Sequence, residues 1–147
     1  MSANVSVRVP RGWPTRRDAA RGIVLAARAP GGAPGGVGAA TVVVRAVDVP
    51  EPGLGAWRSR ALDDLARSTD AFTLEDDDSY DLADQPVRYH RFAHRDGFTE
   101  LLSEQWCWWV DGVGITVSCT VGTELYPLYC ELFEEVADSV RIGAAAA

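Results

Sequence analysis

The side chains of this sequence that could do chemistry are His90 and His94, Cys107, Cys119 and Cys130, an acidic run from Glu75 to Asp84, and an isolated glutamate, Glu104. The histidines stand four apart in VRYHRFAH, which reads as a strand. There they share a face but lie ~13 Å apart, so the spacing that holds a metal on a helix cannot do so here without a third party. The cysteines lack CxxC spacing and read as small buried hydrophobes. Neither a GxSxG elbow nor an HExxH motif is present. Asp76, Asp78 and Asp81 invite a calcium loop, but the EF-hand pattern fails at its third ligand, its glycine and its closing glutamate. A solvated acidic edge is the expectation, with a weak cation site as the alternative. PGGAPGGVGAA at 30–40 follows a strand, but two prolines interrupt it and no helix follows, so it reads as a hairpin tip rather than a phosphate loop. All 14 basic residues are arginine. That inventory excludes a P-loop, a pyridoxal-phosphate Schiff base, a lysine general base and a biotinylation site. No cofactor, no metal centre and no catalytic residue is expected, and the chain reads as a non-enzyme.

The formal charge of −7 and an isoelectric point near 4.7 argue against nucleic acid as a partner. Six of the ten residues from 75 to 84 are acidic: Glu75, Asp76, Asp77, Asp78, Asp81 and Asp84. Such a density implies a basic partner surface, either another protein or the Arg11–Arg21 region of a second copy in a homodimer. No apolar run is long enough to span a membrane, so membrane insertion is not expected. The N-terminus shows no apolar h-region and no lipobox cysteine, which points to the cytoplasm. Three isolated thiols fit a reducing compartment.

The elements that must position these groups centre on Leu101–Val121, two strand-like runs joined by Asp111-Gly112. Asp-Gly is a strong two-residue hairpin signal. Its register sets Val110 against Val113, Trp108 against Ile115, Trp106 against Val117, Glu104 against Cys119 and Leu102 against Val121. That face is a core face. Glu104 is its odd member, either at a wet strand end or at the mouth of a pocket. The opposite face, with Ser103, Gln105, Cys107 and Trp109, reads as wetter and open to partners. Strands are expected at Asn4–Val9, Ile23–Ala29, Thr41–Val47, near Tyr80–Leu82 and at Val87–His94, with a turn at Asp96-Gly97. Helices are expected at about Leu54–Ser68 and Leu125–Val140, the first with an Asp63–Arg67 pair and the second with Pro127 in its first turn. One domain should span residues 1–143, with 144–147 as a disordered tail.

The order is three strands, a helix, four strands and a helix. PRGWP follows the first strand, a QPVRYHRF strand follows the acidic run, and FEEVADSVRI ends the chain. Taken together, from about residue 4 to 142, this resembles the PsbP-like superfamily. That superfamily includes photosystem PsbP subunits, a Ran-binding nuclear import factor, mycobacterial LpqN-type lipoproteins and DcrB-like proteins. The resemblance implies an α+β fold, an α/β/α sandwich around a mainly antiparallel sheet. It also implies a non-enzymatic role as adaptor, assembly factor or secretion-related chaperone. The chain departs from the LpqN-type members in having no lipoprotein signal. The expected function is thus a cytoplasmic protein-interaction module, using the acidic residues and Trp109. The alternative is a binder of an apolar small molecule or amphipathic peptide in a groove beside the sheet, near Glu104.

Overall fold

A computed structural model describes residues 4–31 and 38–143. The tail at 144–147 and most of the Gly-rich tip, including Gly36 and Val37, lie outside the described residues. In chain order the elements are β1 (Asn4–Ser6), β2 (Thr15–Asp18), β3 (Ile23–Arg28), β4 (Thr41–Asp48), α1 (Leu54–Ser68), β5 (Thr73–Leu82), β6 (Gln85–Asp96), β7 (Thr99–Val110), β8 (Val113–Gly122), α2 (Tyr126–Asp138) and β9 (Arg141–Gly143). Seven strands make one sheet in the order β2-β3-β4-β8-β7-β6-β5, antiparallel throughout, while β1 pairs with β9.

The β7–β8 hairpin is the centre of the sheet. Asp111 and Gly112 both have positive φ, 49° and 81°, the turn geometry whose twist matches the flanking strands. From that turn the pairing runs outward as expected, Trp106 facing Val117 and Glu104 facing Cys119. One sheet face carries Trp106, Trp108, Ile115, Val117 and Val121, continued by Val42 and Val44 of β4. It packs against Phe133, Val136 and Ala137 of α2. Pro127 sits in the first turn of α2, where its missing N–H leaves no bond unmade.

The second face is not wet. α1 lies over it, burying Trp57 and Arg58, and Cys107 and Ser103 beneath are themselves buried. Close approach of α1 depends on Gly114, where an added Cβ would stand 2.5 Å from the Trp57 ring. Arg58 reaches the sheet, donating from Nε to His90 Nε2 at 3.3 Å and from Nη2 to Gln105 Oε1 at 2.7 Å. The face looked thinly covered because its residues are polar, yet their hydrogen bonds are made to α1 and to one another.

Other expectations shift as well. β5 runs through the acidic segment as far as Leu82 rather than starting near Tyr80. β2 and β9 are additional strands; TRRD and RIG are too short to show an apolar alternation. The first strand stops at Ser6, and Gly143, the last residue of the expected domain, pairs with Asn4. The β6–β7 turn is centred on Gly97 and Phe98, one residue later than expected, because Asp96 is already paired with Thr99. Arg67 pairs with Asp64, not Asp63.

Candidate functional site

The site follows from how β5 divides its acidic residues. A register shift falls between Leu74 and Asp76, after which Asp76 pairs with Arg91, Asp77 with His90, Asp78 with Tyr89 and Tyr80 with Val87. Strand alternation therefore sends Asp76, Asp78 and Tyr80 to the α2 face and Asp77 to the α1 face. Asp77 is neutralised within the chain. Arg88 donates to both its oxygens, at 2.7 and 2.9 Å, and His90 Nδ1 stands 3.2 Å away. The Arg88 hydrogen bond holds the Asp77 carboxyl below its usual range. Glu75 pairs with Arg91 at 3.2 Å. Asp81 stands at the far end of β5, and Asp84 forms the β5–β6 turn with Ala83, both at positive φ. Asp76 and Asp78 have no cation partner among the described residues.

These two aspartates line a cleft of ≈ 400 Å³ between α2 and strands β5 to β7, and Glu104 lies at its floor. Glu134 and Asp138 of α2 complete five carboxyl groups, against one guanidinium, that of Arg91. The walls are aromatic: Tyr80, Tyr89, Trp106 and Tyr126. Trp106 Nε1–H donates to the Tyr80 hydroxyl at 2.9 Å, and the Tyr89 and Trp106 rings lie 5.2 Å apart, tilted at 53°. The two ring pairs are therefore held in place before any ligand arrives.

Glu104 is 2% exposed. Its Oε2 accepts a hydrogen bond from the Tyr89 hydroxyl, whereas its Oε1 is buried without a hydrogen-bond partner. Burial raises the Glu104 carboxyl above its ordinary range, outweighing the Tyr89 and Tyr126 hydroxyls that favour the charged form. Tyr126 is pushed up to about 12 by burial and by the Glu104 charge, and burial with the same carboxylate raises Tyr89. Both phenols remain neutral donors at physiological pH.

The sequence-derived candidates thus separate. Asp76, Asp78 and Glu104 meet in one cleft. Glu75 and Asp77 are tied to arginines of β6, while Asp81 and Asp84 lie toward the far end of the hairpin. Trp109 is half-buried on the opposite face, its indole N–H bonded to the Glu51 carbonyl at 3.2 Å. Sequence reasoning did not identify Tyr80, Tyr89, Trp106, Tyr126, Glu134 and Asp138 as site residues. The available signal was the β7 register, since every one of them shares the sheet face of Glu104 or packs on it.

The histidines do other work. Burial and the nearby Arg58 charge depress His90 to about 4, and its Nε2 accepts from Arg58. It is therefore neutral, with Nδ1 3.2 Å from Asp77 but outside hydrogen-bond geometry. His94 Nε2 lies 2.8 Å from Ser103 Oγ, which bonds Thr120 at 2.6 Å. Ser103 is 3% exposed, closed off from any substrate. No three metal-ligating side chains converge among the described residues. A larger groove of ≈ 680 Å³, between Arg8–Pro10 and the end of α2, contains no buried ionisable group.

No family model and no curated protein matches the sequence. Solved structures do match. LpqN, involved in cell envelope biogenesis of Mycobacterium tuberculosis, is 11% identical with a TM-score of 0.77, over 96% of this chain and 84% of its own. PA94, a protein of unknown function from Pseudomonas aeruginosa, is 10% identical with a TM-score of 0.69, over 92% and 94%. The cyanobacterial PsbP of Synechocystis is 14% identical with a TM-score of 0.63, over 97% and 93%. At these identities the likeness is one of fold, and the fold is PsbP-like.

Proposed function

We propose that this chain is a non-enzymatic protein-interaction module, an adaptor or assembly factor, that holds a basic segment of another protein against β5 and the cleft beneath α2. The observation that carries this reading is the convergence of Asp76, Asp78 and Glu104 on one cleft beside a free sheet edge. An edge strand offers unpaired backbone groups to an extended segment, and carboxylates beside it select for positive charge. An apolar ligand fits less well, because it would strip water from five carboxyl groups and give nothing in return. The buried histidine and serine argue against catalysis, since neither meets a nucleophile–base arrangement open to substrate. Free thiols at Cys107 and Cys119, on opposite sheet faces, suit a reducing compartment, and we place the protein in the cytoplasm.

The absence of lysine makes a clean experiment available. Carbodiimide joins carboxylates to lysine amines, so any such link from these residues to a lysine leads to a different protein. In lysate of the native host, links should concentrate at Asp76, Asp78, Glu134 and Asp138. They should weaken with salt and be replaced at low yield by background links in the Asp76→Asn/Asp78→Asn variant. Asp77 is left intact because it holds Arg88. Links spread evenly over surface carboxylates, or unchanged in the variant, would overturn the reading.

A further inference from the structure

We propose that the floor of the cleft is a binding site for one organic cation, an alkylammonium or guanidinium group, received between the aromatic walls and the free oxygen of Glu104. The inference deepens the cleft reading by naming the group taken there, but it does not depend on which protein carries that group. Glu104 Oε1 lies buried at the cleft floor without a partner. A buried polar atom left unsatisfied is costly, and in native structures it calls for a ligand or an ion. Besides the Tyr126 hydroxyl, which already acts on this carboxyl, a further donor must come in through an opening lined by Asp76, Asp78, Glu134 and Asp138. An anion is repelled there, and a neutral donor gains nothing from those charges.

The kind of cation follows from the walls. Tyr80, Tyr89, Trp106 and Tyr126 offer ring faces, which attract ammonium and guanidinium groups. A bare metal ion needs several oxygens converging at bonding distance, and no such group exists among the described residues. The one resident cation, Arg91, is engaged by Glu75 at the rim. Binding also moves a proton. Groups facing Glu104 are Tyr89 and Arg91 from β6, Tyr126, Glu134 and Asp138 from α2, Asp76, Asp78 and Tyr80 from β5, and Cys119 from β8. Of these only Arg91 favours its charged form by charge, so an entering cation draws Glu104 toward the carboxylate, and the proton it held goes to the buffer.

Calorimetric titration of the full chain with n-butylguanidinium and n-butylammonium chloride, at fixed ionic strength, tests this, with butylurea as the neutral probe. Both cations should saturate and butylurea should not. The heat should change between buffers of different ionisation enthalpy at pH values where Glu104 is protonated. Glu104→Gln should weaken binding roughly tenfold or more, and Asp78→Asn at the exposed rim should weaken it without touching the core. Glu100→Gln, whose carboxylate pairs with Arg95 outside the cleft, should bind as wild type. Equal binding of butylurea, no saturation by either cation, or wild-type affinity in both cleft variants overturns the proposal. Agmatine and a blocked Ala-Arg-Ala peptide distinguish the sources: tighter agmatine binding assigns a free amine, tighter peptide binding a partner's side chain. Saturation by the small cations without cleft crosslinks would sink the partner reading and leave this one standing; the reverse would sink this one.

Discussion

Glu104 shows how much one residue's chemistry depends on its neighbours. Burying an ionised carboxylate without a full set of partners costs several kcal/mol, which shifts the balance toward the protonated form. Its carboxyl is raised from a reference of 4.5 by burial. A carboxyl raised on folding stabilises the protein in acid, and that contribution is lost as pH climbs from 4.5 through the raised value. His90 works the other way. Depressed from 6.5 to about 4, it contributes stability above 6.5 that is lost as pH falls through about 4. Urea melts from pH 4 to 8 should therefore show Glu104→Gln more stable than wild type at pH 8, with the gain vanishing toward pH 4. His90→Gln should remove the acid-side loss, which amounts to about 3 kcal/mol at most. A Glu104→Gln variant destabilised equally at every pH would mean that the carboxylate is ionised and held by partners. The oddity of Glu104 was legible from alternation alone. Its companions were not, because Asp76 and Asp78 reach it across β6, and cross-strand neighbours appear only once β5 is known to be a strand.

Elements were legible where local chemistry and periodicity agreed. The β7–β8 register could be written out from Asp111-Gly112 because a two-residue turn and a period of two leave no freedom. α1 was bounded correctly because its stripe of Trp57, Ala61, Leu62 and Leu65 repeats at helical spacing. β5 was legible only at its end, since aspartates are poor strand formers and their strand depends on Arg88 and Arg91 across the ladder. What covers the second face was equally hidden, since Gly114 does not announce in sequence that an indole will lie on it. Gly114→Ala should cost about 1–3 kcal/mol, as overpacking of a tight contact does. The Asp111-Gly112 turn and β7–β8 pairing should survive. In a Trp57→Leu background the same change should cost clearly less, measured as a double-mutant cycle in denaturant. Additive losses would show that α1 does not rest on Gly114.

At the scale of the whole molecule the sheet has two edges of opposite charge. β5 ends one side with its aspartates, and β2 ends the other with Arg16 and Arg17, both exposed. Sequence alone suggested that the basic region of one copy could meet the acidic run of another, and the topology now says what that would build. Joining β5 of one molecule to β2 of the next uses two different surfaces, so the contact repeats head to tail and yields a ring where the rotation closes or a filament where it does not, rather than a two-fold dimer. The lengths disagree, however. β5 has ten residues and β2 four, with a register shift inside it. Only ~13 Å of ladder could form, against ~34 Å available on β5. Short, irregular and charged edges are how natural sheets discourage such pairing. We therefore expect sedimentation at low salt to show one species whose mass does not grow with concentration, in wild type and in Arg16→Ala/Arg17→Ala alike. Salt-dissolved polymers that vanish in the double variant would instead make a second copy the occupant of the acidic edge, and would move the search for a basic partner from other proteins to this chain itself.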